Sequence, residues 1–332
     1  MDALAGRTAL VTGASGFLGG HLVEALVGHG ARVRALVRRS SDTTALRAHG
    51  VELFQGGFED LEGLRLAVAG ADYVVHAAGG GKVASVEDFY AQNRDTTQLL
   101  LQVILQEAPH LERFVLVSSA AAAGPSEPAR PATEDGPPHP TSHYGKAKLA
   151  AEQLVLLEKA RLPVTVIRPP AVYGPGDTRM LGLFKAIRRG VMPRLGRGGV
   201  TSMIYVSDCV DAILLALVRP HPTGRIYFVA DGEPYDHARV GRAIAAAVGA
   251  SPVTVPLPGP LLRAAGAVTE AFGKATGRPV ALTRDKVQDL LQPSWLVSAA
   301  LARSELGFAP KVLLEEGAKR TAEGYRRAGW MR

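Results

Sequence analysis

Thr8-Ala9-Leu10-Val11, running into Thr12-Gly13-Ala14-Ser15-Gly16-Phe17-Leu18-Gly19, is the stretch that decides the fold. Its first four residues form a short apolar run with the character of a buried strand. The periodic segment over 18–29, after the turn, has that of a helix. Between them stand glycines at 13, 16 and 19, spaced GxxGxxG. Gly13 permits a tight turn, Gly16 lets a pyrophosphate approach the backbone, and Gly19 lets the helix pack closely on the sheet. Free N–H groups and the macrodipole at a helix start favour an anion there. Gly13, Ser15, Gly16, Phe17, Leu18 and Gly19 are therefore the expected dinucleotide contacts of this turn.

The same unit repeats outward. Apolar runs at 33–37, 51–54, 73–76, 114–117 and 164–167 alternate with helical patterns, among them about 61–69 and 88–107. Strands spaced by helices imply right-handed crossovers, hence an α/β chain with a doubly wound parallel (Rossmann) sheet. Six prolines and Gly136 between Gly124 and Pro140 read as an irregular surface loop. Beyond Pro169 the rhythm loosens into helical patterns near 180–189, 208–218 and 236–248 and one strand-like run at 225–229. A segment punctuated by Pro252, Pro256, Pro258 and Pro260 follows. The expected division is a dinucleotide-binding domain over 1–168, to which about 201–231 returns, and a smaller, irregular substrate lobe over 169–200 and 232–332.

Composition narrows the partners. The 332 residues suit about two lobes, and 47% hydrophobic with 21% charged residues excludes disorder and collagen-like repeats. The one cysteine, Cys209, cannot form an internal disulfide, and no Cys/His cluster has metal-ligand spacing. The start lacks a secretory pattern and no eighteen-residue apolar run exists, so a cytoplasmic protein without an integral membrane segment is expected. The net charge of +7 is spread over doublets such as Arg38-Arg39, Arg188-Arg189 and Arg326-Arg327. Nucleic acid would call for a concentrated stripe with interleaved aromatics, so none is expected as a partner. Residues 253–272 are apolar apart from Arg263 and Glu270, but the sequence offers nothing more to set them on a membrane.

At the end of the second strand an NAD site would place Asp or Glu against the ribose hydroxyls. Here Val37 is followed by Arg38 and Arg39. A carboxylate would repel a 2′-phosphate, whereas a guanidinium bonds it bidentately. NADP(H) is expected over NAD(H), with Arg38 as the contact.

Tyr144-Gly145-Lys146-Ala147-Lys148 sets a phenol and an ammonium at i and i+4, on one helix face. Val117-Ser118-Ser119 ends a strand at the sheet edge where open α/β folds hold their ligands. Free Tyr has a pKa of about 10, and a cation within ~4–6 Å lowers it by ~1–3 units. Ser119, Tyr144 and Lys148 thus suit proton transfer at a carbinol or carbonyl oxygen.

The combined pattern resembles the extended short-chain dehydrogenase/reductase family, also called the NAD-dependent epimerase/dehydratase family, over nearly the whole chain. The resemblance rests on the glycine turn, His76-Ala77-Ala78, Asn93, Ser118-Ser119, Tyr144-x-x-x-Lys148, Arg168-Pro169-Pro170-Ala171-Val172-Tyr173-Gly174-Pro175 and Tyr205-Val206-Ser207-Asp208. It implies that Ser119, Tyr144 and Lys148 form the catalytic set, with Lys148 and Tyr144 also at the nicotinamide. It further implies that Ala77 and Ala78 line the cofactor, that Pro170 to Val172 flank the carboxamide, and that Asn93 kinks a helix. The family usually has an Asp after the third strand to meet the adenine. Gly57-Phe58 stand there instead, with Asp60 displaced, so Phe58 is expected to stack on or cap that pocket.

Further departures bear on the reaction. Ala171 stands where nucleotide-sugar members have Asn, Thr201 where they carry an Arg for the diphosphate, and Ala120–Ala123 where dehydratases place Asp-Glu. Met180, Leu181, Leu183, Phe184, Val172, Tyr173 and Trp295 are candidate pocket residues. Together they favour a poorly charged carbonyl or alcohol substrate, and the C-terminal stretch, with Arg278-Pro279-Val280 through Ser294-Trp295 and Leu306-Gly307-Phe308, resembles the 3β-hydroxysteroid-dehydrogenase-like and dihydroflavonol-reductase-like branch. The expected activity is an NADP(H)-dependent interconversion of a ketone and a secondary alcohol on a hydrophobic small molecule, with Tyr144 as acid/base. The alternatives are a nucleotide-sugar epimerase/dehydratase holding NAD tightly and, more remotely, a non-enzymatic dinucleotide sensor. The apolar circumference of the Tyr144 helix (Leu149, Leu154, Leu156, Leu157) makes a homodimer an expectation. His76 and Cys209 are expected to be packed, and His143 and Lys82 to be solvated.

Overall fold

The computed structural model describes residues 2–80, 85–196, 198–276, 280 and 282–331. The amino-terminal half supplies β1 (Thr8–Thr12), α1 (Phe17–Gly28), β2 (Arg32–Val37), α2 (Thr44–Ala48), β3 (Glu52–Gln55), α3 (Leu61–Val68) and β4 (Tyr73–His76). There follow α4 (Val86–Tyr90), α5 (Thr96–Glu107), β5 (Arg113–Val117), α6 (His143–Leu157) and β6 (Val164–Arg168). Next come β7 (Ala171–Tyr173), α7 (Leu181–Arg188), β8 (Val191–Leu195), β9 (Val200–Thr201), β10 (Met203–Tyr205), α8 (Val206–Val218) and β11 (Arg225–Phe228). The chain ends in β12 (Tyr235–Asp236), α9 (His237–Val248), β13 (Val253–Leu257), α10 (Gly259–Thr276), α11 (Arg284–Leu290), β14 (Ser294–Trp295) and α12 (Leu314–Arg327).

Seven parallel strands pair in the order β11-β6-β5-β4-β1-β2-β3. The period of two in each strand sends alternate side chains to two separate cores. Ala9 and Val11 pack with Leu22, Val23 and Leu26 of α1 and Ile213 of α8. Leu10, between them, packs with Leu64 of α3, Ile104 of α5 and Val155 of α6. Burial on both faces explains why these strands read as continuous apolar runs. The strand order reverses between β1 and β4, which opens a crevice at their carboxyl ends.

The helical pattern over 88–107 is not one helix. Between α4 and α5 the chain makes a π-helical turn over Ala91–Asp95, centred on Asn93. There Asn93 Nδ2 donates to Phe89 O at 2.8 Å, so the side chain occupies the rung an uninterrupted helix would use.

In the carboxy-terminal half, β13 pairs with β8 in parallel, and β9 lies between β12 and β14. Among the described residues no helix is long and apolar enough to cross a membrane.

Candidate active site

The glycine turn lies at the reversal point. Gly13 has φ +73°, and a Cβ there would stand 2.7 Å from the backbone of Ala77 and Ala78. A Cβ on Gly19 would strike Gly13 O. Only glycine lets β1, the end of β4 and α1 approach this closely. Gly16 caps α1, and Ser15 and Gly16 are exposed in front of its free N–H groups. Phe17 and Leu18 are half-buried, and Phe17 stands edge-on to His21. This cradle fits a pyrophosphate.

Beneath the turn runs a buried relay. Ala78 N donates to Thr12 Oγ1 at 3.2 Å, and Thr12 Oγ1 lies 2.6 Å from His76 Nδ1. On the far side His76 Nε2 lies 3.0 Å from Thr97 Oγ1, which donates to Asn93 O. Because the Thr97 proton is committed to that carbonyl, His76 must donate from Nε2 and accept at Nδ1. Burial and the Lys148 ammonium push the imidazole down to about 3, so it is neutral.

Tyr144 is in the first turn of α6. Ser142 caps that turn by accepting from Gly145 N at 3.1 Å. Gly145 packs on Ala121 O so tightly that a Cβ would strike it, and Ala120 N donates to Pro169 O at 2.9 Å. The alanine run after β5 thus brings Ser119 to the start of α6, where its hydroxyl acts on the phenol.

Burial is the largest influence on the phenol and holds it above its ordinary value. The Arg179 guanidinium and the Ser119 hydroxyl pull it down, and Asp289 raises it. Arg179 is thus a cation acting on Tyr144 that the sequence did not point to. Lys148 is 4% exposed, donates to Val117 O at 3.1 Å, and is pushed down to about 8 by burial, against the opposing charge of Glu152. Its Nζ and the buried, unpartnered Asn93 Oδ1 both face the space above Gly79. An ammonium and an orphaned acceptor around one gap suit a hydroxyl-bearing group such as a ribose.

Other expected residues divide. Arg38 is exposed just past β2, with its stem against Gly57. Gly57 has φ +65°, a conformation that disfavours Asp. Asp60 accepts from Gly63 N and caps α3, so its carboxylate is engaged away from any adenine. Phe58 stands edge-on to His76, with ring centroids 5.7 Å apart, and packs on the α3 core. Pro170 is half-buried and Val172 is buried in β7.

Two pocket candidates are corrected. Phe184 and Tyr173 are 0% and 1% exposed, Phe184 against Tyr325 and Tyr173 against Tyr205, so both are core. Met180, Leu181 and Leu183 are half-buried against that core, and Trp295 is tied to Asp289 O. Cys209 is buried, and burial pushes its thiol up to about 12. His143 is half-buried rather than solvated. Lys82, Arg278 and Pro279 lie outside the described residues.

Four groups escaped sequence reasoning. Arg179 lies over the Phe17 ring, donates to Val172 O and pairs with Asp177, with no motif to announce it. Glu152, one turn beyond Lys148, forms a bidentate ion pair with Arg168 and accepts from Ser118 Oγ, all three buried. The i+4 spacing was its one visible signal. Asp285 of α11 accepts from His143 N at 2.6 Å, and Asp289 accepts from Thr141 Oγ1 at 2.9 Å. The carboxy-terminal half thereby clamps the start of α6.

Residues 9–230 match the family model described as the NAD dependent epimerase/dehydratase family. The chain is 34% identical to a ceramide reductase of Caulobacter vibrioides, over 97% of this chain and 95% of that protein. It is 30% identical to a 2-alkyl-3-oxoalkanoate reductase of Stenotrophomonas maltophilia, over 94% of this chain and 97% of that protein. Among solved structures, MoeE5 in complex with UDP-glucuronic acid and NAD is similar with a TM-score of 0.76 and 27% identity, covering 97% of this chain and 99% of that one.

Proposed function

Because the chain belongs to the NAD dependent epimerase/dehydratase family, the extended short-chain dehydrogenases/reductases, we propose that it is an NADP(H)-dependent enzyme interconverting a ketone and a secondary alcohol on a hydrophobic molecule. The observation that carries this reading is the convergence of Ser119 and Tyr144 at the carboxyl edge of the sheet, with the Lys148 ammonium buried beneath. The relatives named as reductases of ceramide and of 2-alkyl-3-oxoalkanoates support a lipophilic ketone.

The nicotinamide, when bound, supplies or takes up the hydride. Gly13, Ser15, Gly16, Phe17, Leu18 and Gly19 hold the pyrophosphate end, with Ala77 and Ala78 beside them. Arg38 meets the 2′-phosphate, and Pro170 and Val172 flank the carboxamide. Tyr144 donates a proton to the carbonyl oxygen in reduction and removes it from the alcohol in oxidation. Ser119 orients that oxygen, and Lys148 holds the ribose. Phe58 closes the adenine side. Residues 1–168 with about 201–231 serve the cofactor, and 169–200 with 232–332 shape the substrate side.

The test is Tyr144→Phe in an NADPH-oxidation assay over ketones of graded hydrophobicity. kcat should fall by about 100-fold or more. Retention of more than a few percent of activity (about 5% or above) overturns the acid/base role.

A further inference from the structure

Arg179 is exposed but firmly held. Its side chain is 60% exposed, whereas that of Asp177, the carboxylate that anchors it, is 2% exposed. Asp177 is fixed in turn. Its Oδ1 accepts from Arg179 N, its Oδ2 from Met180 N, and its carbonyl from the hydroxyl of the buried Tyr325. The guanidinium donates from Nε to Asp177 Oδ1 at 2.9 Å and from Nη2 to Val172 O at 3.1 Å. Among the described residues Nη1 has no hydrogen-bond partner, and Asp177 is the one carboxylate paired with this guanidinium. A planar fork held at two points keeps its orientation and leaves the Nη1 donors and the positive charge for a further acceptor.

α1 shows where that acceptor belongs. The guanidinium carbon lies 5.7 Å from the centroid of the Phe17 ring, and Phe17 is the first residue of α1. Gly176 lies against the same ring, since a Cβ there would stand 3.6 Å from Phe17 Cδ2. One turn further on, His21 Nε2 lies 2.9 Å from Pro175 O. The segment from Pro175 to Arg179, which belongs to the substrate side, thus runs beside the first turn of α1. No residue from Thr12 to Leu22 is acidic. The guanidinium and the positive end of α1, worth roughly half a charge, are therefore neighbours of like sign. As a counter-ion for Asp177 alone, an exposed arginine contributes only about 0–1 kcal/mol and has no reason to stand there. An anion between the two resolves the repulsion, and the cradle at the start of α1 fits a diphosphate.

We propose that Arg179 is a clasp on the diphosphate of the dinucleotide, reaching from the substrate side to the glycine turn so that both halves of the molecule hold the cofactor. The inference rests on the dinucleotide reading given above and adds a residue to it. It also separates two arginines by role: Arg38 meets the group that distinguishes NADPH from NADH, whereas Arg179 meets the phosphates that both share.

The test is binding, with the full chain. Kd is measured for NADPH, NADH, ADP-ribose and adenosine 2′-phosphate in wild type and Arg179→Gln. The variant should bind the three diphosphates about tenfold more weakly, the loss of one charge-assisted contact, and adenosine 2′-phosphate as tightly as before. The difference should shrink at high salt, and Arg179→Lys, which keeps the charge without the fork, should recover part of the affinity. If Arg179→Gln fails to fold, Arg179→Lys is read in its place and should weaken the same three ligands while sparing the fourth. Unchanged Kd for the diphosphates overturns the clasp, as does an equal loss for adenosine 2′-phosphate. So does a raised KM for the ketone with cofactor Kd unchanged, which would assign the guanidinium to the substrate. Wild-type protein that binds neither NADPH nor NADH would sink the dinucleotide reading itself, whereas wild type and variant binding both equally well would sink the clasp alone.

Discussion

Arg38 and Arg179 are two arginines whose consequences differ because of what each touches. Arg38 lies exposed past β2 against Gly57, and among the described residues it forms no ion pair. Arg38→Ala should weaken NADPH binding by about 10- to 100-fold, the loss of a charge-assisted contact, and leave NADH binding nearly unchanged. Equal Kd values for NADPH in mutant and wild type, by fluorescence titration, refute the assignment. Arg179 acts on the phenol itself. Burial holds Tyr144 above its ordinary value and the guanidinium draws it down. Removing that cation leaves the phenolate less favoured. In Arg179→Ala, the ascending, acid-side limb of the pH profile for alcohol oxidation, where Tyr144 must lose its proton, should therefore move to higher pH. A limb that stays put or moves to lower pH contradicts the coupling.

At the scale of elements, the turn between β1 and α1 works by absence of side chains. Gly19 has no room for a Cβ because α1 lies directly on Gly13 O. Gly19→Ala should push α1 outward, at a cost of about 1–3 kcal/mol in denaturant unfolding, and weaken dinucleotide binding along with stability. An alanine variant as stable and as tightly binding as the wild type would show that α1 does not depend on this approach. The alternation of strands and helices was legible in the first half because most of its strands, the edge strand β3 apart, are buried on both faces. The interruption at Asn93 was not legible as a π turn. It depends on the Asn93 amide taking Phe89 O, while Asn93 O receives the Thr97 hydroxyl, whose other contact is the imidazole of β4.

Across the whole molecule, the Glu152–Arg168 pair links α6 to the end of β6 with both side chains almost fully buried. Arg168 also lies over the ring of Phe228 in β11, so one guanidinium joins the last three pieces of the sheet edge. A buried pair is costly to half-remove, since the surviving charge has no water. Arg168→Met should lower unfolding free energy by about 3–5 kcal/mol, and Arg168→Met with Glu152→Met should recover much of that loss. If the double variant is as unstable as the single, packing rather than charge is what the pair supplies.

Local chemistry is written along the chain. The glycine spacing, the apolar period and the phenol–ammonium interval are each set over a few residues by backbone sterics and helix pitch, so the sheet, its turn and the candidate set Ser119, Tyr144 and Lys148 are legible along the chain. Groups brought together from far apart in the chain carry no such local signature. The placement of Arg179 near the phenol, the clamp of Asp285 on α6, the burial of Phe184 and Tyr173, and the outward apolar face of α10 were decided only by tertiary structure. Each depends on which surface of one element meets another, and the period of a helix tells how wide its apolar stripe is without telling which way it faces.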